Sequence, residues 1–434
     1  MATLQAVSGM NDLLPADGQG ARWHRLETAF RDTSVRYGFQ EVRTPLCEYA
    51  ELFQRGVGEA TDIVEKEMYT FDDRGQRRLA LRPEGTASAV RAAIEHSVLA
   101  RDPVVRWSYV GAMFRAERPA KGRYRQFHQV GAEVYGDDSP AVDAEVIDLA
   151  SSFLQSIGIT KFIVRVNSLG GAETRARYRE ALLAYFAPHR EALSPESQLR
   201  LERNPLRILD SKDPRDQAFK AGAPSLVDAL TPEDRAHFDR VQGFLTALGT
   251  PFVVDASLVR GLDYYSRTVF EIVDTSGSLG AQDALGGGGR YDQLFTELGS
   301  AKPVPAFGFA LGIERLLLAA PVEEEKKPFR VAVVAVAKPD ENTTHAGVLA
   351  LARELRMHGF ETVVDTRFGS MKSQMRRAND LAAAVVLLIG SNELAAEQVS
   401  MKLMATGEQR SVPRAALLDE LTQTQRAPAA TGAP

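Results

Sequence analysis

The sequence predicts an α+β fold in residues 1–320, followed by a smaller α/β domain in residues 329–424. Three observations support this division. Strand-like patterns lie at both ends of the first part and flank a helical stretch at about residues 172–248. Strands alternate with helices after residue 329, as in a largely parallel sheet. A charged segment at residues 321–328, bracketed by prolines, is predicted to be a linker.

The first part contains the signals of a sheet built around a hairpin. Two strand-like segments begin at Trp107 and Gln126, and the short basic loop between them favours an antiparallel pair. We therefore expect an antiparallel or mixed sheet with a helical insertion. The other predicted elements are an amphipathic helix at residues 22–37, a strand at residues 39–49 that Pro45 interrupts, and a strand that turns into a helix from Gly308.

The second part alternates strands with helices. Strands are predicted to start at residues 330, 361 and 382, and helices are predicted at residues 346–357 and 372–381. A capped helix is predicted from Ser411, with Pro413 in its first turn. The last ten residues, 425–434, are rich in alanine and proline and are predicted to form a disordered tail.

Composition narrows the class of protein. Of the 434 residues, 44% are hydrophobic and 25% are charged, which is typical of a globular protein with two or three domains. No apolar run approaches the roughly 20 residues that span a bilayer, so we expect no membrane partner. The single cysteine, Cys47, excludes an internal disulfide and a multi-cysteine zinc site. It also fits a reducing compartment, and we predict a cytoplasmic protein.

Charge is unevenly distributed along the chain. The formal net charge of −5 gives no overall attraction for nucleic acid. Residues 106–129, however, contain six basic residues and one acidic residue, a local excess of five positive charges. This segment is either a nucleic-acid contact or a solvated surface strip, and charge alone does not decide between them.

Several residues are candidates for phosphate chemistry, although no P-loop or dinucleotide-binding glycine motif is present. Arg115, Arg260 and Arg315 stand where strands, loops and helices meet, and guanidinium groups bind phosphate bidentately. Taken singly, each of these arginines is also consistent with an ordinary residue on the protein surface. The run Gly286–Gly289 either cradles a ligand or makes a tight strand connection. No pair of the seven histidines has the HExxH spacing, so we expect no metal site built from protein ligands.

Long segments of the chain resemble the histidyl-tRNA synthetase family. The helix and strand that end at Pro45, the segment FRAERPAKGRYRQFHQVGAEVYG from Phe114 and the segment GFALGIERLLL from Gly308 look like motifs 1, 2 and 3 of class II aminoacyl-tRNA synthetases. LVRGLDYYSRTVFE from Leu258 and LGGGGRYD from Leu285 are similar to the two histidine-binding signatures of that family. LRPEGT and NPLRILDSKDP also match, and the resemblance extends over roughly residues 5–422.

The resemblance implies a reaction and roles for the arginines. The family activates L-histidine with ATP and transfers it to tRNA(His), with Mg²⁺ accompanying the pyrophosphate. Arg115 would bridge the histidine carboxylate and the α-phosphate, and Arg260 would contact that phosphate from the other side. Arg260 takes a place that other class II enzymes give to a metal. Arg123 and Arg315 would hold the outer phosphates.

The resemblance also implies an amino-acid pocket and partners. Glu133 and Tyr265 would hydrogen-bond the imidazole of the substrate. The α-ammonium group would meet Glu84, Thr86 and Gln129, and the pocket wall would be completed by Tyr264 and a turn at Gly287, Gly288 and Gly289. Hydrogen bonds to both ring nitrogens would reject substitutes, because a substitute leaves polar groups unpaired. A homodimer and a C-terminal anticodon-binding domain are also implied.

Three alternatives remain open. A non-catalytic paralogue of this family is a regulatory subunit of ATP phosphoribosyltransferase, but it lacks complete motifs and the anticodon domain. Another class II specificity, such as glycyl, prolyl or threonyl, conflicts with the segment RGLDYY. In the second part, the segment FGSMKSQMRRAND from Phe368 is either a surface for unstacked bases and phosphates or a solvated helix.

Overall fold

The computed structural model describes residues 3–15, 18–58, 61–209, 211–258, 262, 264–280, 283–322, 328–338 and 341–426. The chain forms two compact units, Met1–Pro321 and Val322–Pro434. Each unit is described separately below.

The first unit is organised around a sheet in which eight described strands pair. Most neighbours are antiparallel, and the two outermost pairings are parallel. In spatial order the strands are β1 (Gln40–Glu41), β5 (Val105–Phe114), β6 (Gln126–Tyr135), β11 (Ala306–Gly312), β10 (Ala284–Arg290), β9 (Ser266–Asp274), β7 (Phe162–Ser168) and β8 (Phe252–Val254). A smaller sheet contains β2 (Cys47–Tyr49), β4 (Arg78–Leu81) and β3 (Thr70–Asp72).

Helices of the first unit pack on the large sheet and form the insertion. Four of them start at a Ser, Thr or Asp N-cap followed directly by proline, a pairing that satisfies an orphan backbone donor and presets the first turn. The helices are α1 (Gln19–Arg36), α2 (Ala50–Val57), α3 (Thr86–Glu95), α4 (Pro140–Ser156), α5 (Ala172–Phe186), α6 (Pro195–Arg203), α7 (Pro214–Lys220), α8 (Leu226–Ala229), α9 (Pro232–Leu248), α10 (Leu294–Glu297) and α11 (Ile313–Ala319).

The core of the first unit lies between the large sheet and three long helices. Phe30 of α1 and Phe153 of α4 are fully buried and meet edge to face, with ring centroids 5.1 Å apart. Leu245 of α9 and Phe270 of β9 belong to the same apolar cluster. Burial of these side chains fixes the central strands, and the central strands carry the candidate functional residues.

The second unit has an α/β fold built on one mixed sheet. Its sheet has the order β13 (Glu361–Val364), β12 (Arg330–Val336), β14 (Val385–Gly390), β15 (Gln398–Leu403) and β16 (Gln409–Pro413). The first two pairings are parallel and the last two are antiparallel, so the sheet is less parallel than the sequence predicts. The helices are α12 (Asn342–Met357), α13 (Met371–Asp380), α14 (Ser391–Ala395) and α15 (Leu417–Arg426).

The α+β fold class with a helical insertion is confirmed, and two local predictions are wrong. The predicted interruption at Pro45 is present, because β1 and β2 lie on either side of it and belong to different sheets. Residues 411–413 end strand β16 and α15 starts only at Leu417, since pairing with β15 overrides the capping signal. Gly286–Gly289 form neither a turn nor a strand connection. They lie inside β10, where a Cβ at Gly286 or Gly288 would overlap the backbone of β11.

Candidate functional site

A cavity of about 320 Å³ opens in the first unit beside the hairpin of β5 and β6. Its wall comes from this hairpin and its loop, from β10 and β11, and from the segment before β9. Ten of the residues singled out from the sequence line it: Glu84, Thr86, Arg115, Arg123, Gln129, Tyr264, Tyr265, Gly286, Gly287 and Arg315. Strand pairing brings together segments that are up to 231 positions apart along the chain, from Glu84 to Arg315.

Three arginines converge on one side of this cavity. Nε of Arg115 donates to the backbone oxygen of Pro83 at 2.9 Å, and its guanidinium lies 5.2 Å from the ring centroid of Phe127. Arg315 donates to the backbone oxygens of Ala284, at 2.6 Å, and Gly122, at 3.3 Å. These bonds hold both guanidinium groups in place on the cavity wall.

The third arginine, Arg123, is partly exposed to solvent. It lies in the loop between β5 and β6, its side chain is 45% exposed, and Glu117 pairs with it at 3.3 Å. Burial lowers the pKa of Arg315, and the nearby positive charge of Arg123 lowers it further. A polyanion would stabilise these neighbouring positive charges of Arg123 and Arg315, so this part of the cavity is suited to phosphate groups.

The start of α3 also lines the cavity. The carboxylate of Glu84 accepts hydrogen bonds from the backbone N–H groups of Thr86 at 2.7 Å and Ala87 at 2.8 Å, which fixes the first turn. Burial raises the pKa of Glu84, and these backbone bonds oppose the rise. Gln129 of β6 also faces the cavity, and its Oε1 is buried without a hydrogen-bond partner among the described residues. An ammonium group would satisfy such oxygens.

Glu133 lies behind this wall rather than on it. Its side chain is fully buried, and it accepts hydrogen bonds from the hydroxyls of Thr86, at 2.7 Å, Tyr109, at 3.3 Å, and Tyr291. The two carboxyl oxygens have about four positions between them, so one position is left for a proton or a ligand after these three donors. Burial raises the pKa of Glu133 to about 8, and the charge of Glu84 adds to the rise.

The glycine at position 308 makes room for this carboxyl. Gly308 of β11 pairs with Glu133 of β6, and a Cβ there would overlap Oε2 of Glu133. Tyr264 and Tyr265 pack against each other with ring centroids 4.6 Å apart, and the ring of Tyr264 lies 5.5 Å from that of Tyr291. The result is an enclosed aromatic and carboxyl cluster next to the arginines.

Some sequence-derived candidates fall elsewhere. Gly288 and Gly289 lie in β10 but do not line the cavity. Gly287, which was also predicted, lines it together with Gly286. Arg260 lies outside the described residues. Sequence reasoning missed Tyr291, although it stands within the quoted segment LGGGGRYD. It also missed Glu271 and Glu314, two acidic residues of the wall that only tertiary packing reveals.

The comparisons with known proteins agree on a family. Residues 9–316 match the family model described as histidyl-tRNA synthetase, and residues 330–424 match the one described as anticodon binding domain. The chain belongs to the histidyl-tRNA synthetase family. It is 50% identical over 410 residues to the histidine–tRNA ligase of Sorangium cellulosum, with 94% of each chain covered.

Two further relatives support the assignment. The histidine–tRNA ligase of Thermosynechococcus vestitus is 47% identical over 420 residues, with 96% of each chain covered. The crystal structure of apo histidyl-tRNA synthetase from S. aureus is 33% identical, with a TM-score of 0.81 over 96% of this chain and 100% of that chain. The described helices include none that is both long and apolar enough to cross a membrane.

Proposed function

We propose that the chain activates L-histidine with ATP and transfers the activated histidine to tRNA(His). In the first step an oxygen of the histidine carboxylate forms a bond to the α-phosphorus, and the bond from that phosphorus to the β-phosphate oxygen breaks. Pyrophosphate leaves and histidyl-adenylate remains. The observation that carries this proposal is a single cavity that joins convergent arginines to a buried carboxyl and tyrosine cluster, in a chain of this family.

The arginine side would bind and polarise ATP. Arg115, which is held by its hydrogen bond to Pro83, would bridge the histidine carboxylate and the α-phosphate. Arg315 and Arg123 would hold the outer phosphates, and Arg260 would face the α-phosphate. Guanidinium groups fixed before reaction stabilise charge that accumulates on the equatorial oxygens without having to reorganise.

Mg²⁺ is proposed to accompany the nucleotide. Mg²⁺ binds through one or two carboxylates together with phosphate oxygens and waters. Glu271 and Glu314 supply carboxylates on the wall that also carries Arg315, so the donor set fits. When bound, the ion would neutralise charge on the departing pyrophosphate. The described residues contain no group of three or more His, Cys, Asp or Glu side chains placed to hold a metal without the nucleotide.

The other side would select histidine. Glu84, Thr86 and Gln129 present oxygens to the α-ammonium group. The imidazole would lie against the two tyrosines, with Tyr265 hydrogen-bonding one ring nitrogen and the carboxyl group of Glu133 hydrogen-bonding the other. Because Glu133 is covered in the described structure, this contact requires the Thr86 side of the wall to shift when histidine enters.

The proposal also assigns a role to the second unit and includes pairing with a second copy of the chain. The second unit would bind the anticodon loop, using the basic residues of α13 and the adjoining segment from Phe368. The chain is proposed to act as a homodimer. The direct test is aminoacylation of tRNA with labelled histidine. ATP-dependent labelling of tRNA(His) is the expected result, and absence of labelling by the folded protein contradicts it.

A further inference from the structure

The start of strand β9 departs from regular pairing directly after the two tyrosines of the candidate site. Two adjacent residues of β10, Gly289 and Arg290, pair with β9 positions that are three apart, Val269 and Ser266. At this point β9 therefore has two extra residues, 267–268, which form a bulge. A bulge bends its strand and changes the direction of neighbouring side chains, and bulges are frequent next to active sites.

Tyr264 and Tyr265, which immediately precede β9, need such a change of direction. Consecutive side chains of a regular strand point to opposite faces, yet both tyrosines line the cavity. The ring of Tyr265 also passes close to Gly289, where a Cβ would lie 3.0 Å from Cδ1 of the ring. Gly289, which does not line the cavity, thus contributes to the site by making room for this tyrosine.

Arg267, the first residue of the bulge, has a backbone conformation that residues other than glycine rarely adopt. Its φ is 45°, in the left-handed region. Two backbone hydrogen bonds to the end of β7 hold it there. Its N–H donates to the carbonyl oxygen of Gly170 at 2.9 Å, and its carbonyl oxygen accepts from the N–H of Leu169 at 2.6 Å. Strain of this kind persists only where surrounding contacts determine the conformation.

The side chain of Arg267 supplies further contacts, to the first turn of α9. Its Nε donates to Oδ1 of Asp234 at 3.2 Å, and its Nη2 donates to Oε1 of Glu233 at 2.7 Å. Asp234 is buried, and it also accepts from the N–H of Gly171 at 2.8 Å and the hydroxyl of Thr174 at 2.6 Å. Glu233 is exposed, so its ion pair contributes little, and the anchor of the arginine is Asp234.

We propose that Arg267 is a positioning residue for the recognition of histidine. Its anchored, left-handed conformation sets the direction of the chain before β9 and so holds the hydroxyl of Tyr265 where it can bond the imidazole. The inference rests on the proposed function, in which Tyr265 makes that bond. Arg267 does not line the cavity and touches no substrate. ATP binding does not depend on it, because other segments hold Arg115 and Arg315.

The test replaces Arg267 in two ways. Arg267→Ala removes the anchor and disfavours the positive φ, whereas Arg267→Gly removes only the anchor. Ser97→Ala is the matched control, since Ser97 has a φ of 48°, is exposed and does not line the cavity. Arg267→Ala should raise KM for histidine in pyrophosphate exchange about tenfold, as for one lost hydrogen bond, and Arg267→Gly about threefold. KM for ATP should not change, and Ser97→Ala should match the parent.

A double-mutant cycle with Tyr265→Phe separates positioning from a general loss of stability. In the parent, Tyr265→Phe should raise KM for histidine about tenfold, because the hydroxyl is removed. In Arg267→Ala the same change should raise it by less than about twofold, because the hydroxyl is already misplaced. Arg267→Lys keeps a cation for Asp234 and should restore most of the histidine KM. If Arg267→Ala does not fold, the cycle is measured with Arg267→Gly.

Additive effects of the two changes would overturn the inference. Equal rises in KM for histidine and for ATP would do so too, as would a histidine KM within about twofold of the parent in both Arg267 variants. The parent protein tests the proposed function separately. A parent without histidine-dependent exchange would contradict that function, whereas a parent with normal exchange and additive variants would contradict only the role of Arg267.

Discussion

Replacing Glu133 by glutamine tests the electrostatics of the candidate site. Burial raises the pKa of this carboxyl from 4.5 to about 8 in the folded protein. Between those pH values the unfolded chain is ionised at Glu133 and the folded protein is not, so the unfolded state binds fewer protons. This residue's contribution to the free energy of unfolding is therefore retained below pH 4.5 and lost progressively up to pH 8, at about 1.36 kcal/mol per pH unit.

Glutamine removes this dependence while preserving the shape of the side chain. Its amide offers one acceptor and one donor group, as the neutral carboxyl does. Between pH 5 and pH 8 the difference in free energy of unfolding between the two proteins should shift by about 4 kcal/mol in favour of Glu133→Gln. The assay is urea denaturation of both proteins at both pH values, following the transition of the first unit.

Comparison at matched pH cancels the titration of every other group that the two proteins share. The difference at pH 5 serves as the reference for any loss of hydrogen bonds with Thr86, Tyr109 or Tyr291. A difference that is the same at pH 5 and pH 8 would refute the reasoning. It would mean that these hydroxyls stabilise the charged carboxylate enough to offset its burial.

Three further changes probe the site and the second unit. Gly308→Ala should raise KM for histidine at least about tenfold, because its Cβ would displace Glu133; Gly243→Ala, in open space on α9, is the control, and equal KM values for the two would exclude this steric account. Arg260→Ala should slow pyrophosphate exchange at least ~100-fold, a loss of about 3 kcal/mol of transition-state stabilisation, with less effect on histidine binding. If the rate of pyrophosphate exchange by this variant stayed within a few-fold of that of the parent protein, Arg260 would not act in the reaction. Deleting everything after Pro328 should leave exchange measurable in a folded dimer while tRNA charging falls mainly through KM for tRNA. If both activities fell by the same factor, the second unit would be supporting catalysis rather than binding the anticodon.

Strong local patterns made much of the fold predictable. The hairpin of β5 and β6 has two long strands around a basic loop, and the structure forms it as the sequence predicts. The strand and helix from Gly308 also form, since the apolar repeat changes period at the junction. The arginines of the cavity were recognisable because they stand at the ends of such elements.

Tertiary packing determined what the sequence did not show. A run of four glycines suggested a turn, but the close approach of β11 requires glycines within a strand. Glu133 looked like a residue of the cavity wall, yet three hydroxyls from distant segments cover its carboxyl. Tyr291 belongs to that cluster through a contact that spans 158 positions in the chain, and one sequence contains no local signal of such a contact.

The most direct test of the central claim is ATP–pyrophosphate exchange measured with each amino acid in turn. The arrangement of the arginines and the carboxyl and tyrosine cluster in one cavity predicts exchange that depends on histidine and is negligible with glycine, proline or threonine. Exchange driven by a different amino acid would contradict the proposed selectivity of the pocket. Absence of exchange with any amino acid, in the folded full-length protein, would contradict the proposed catalysis itself.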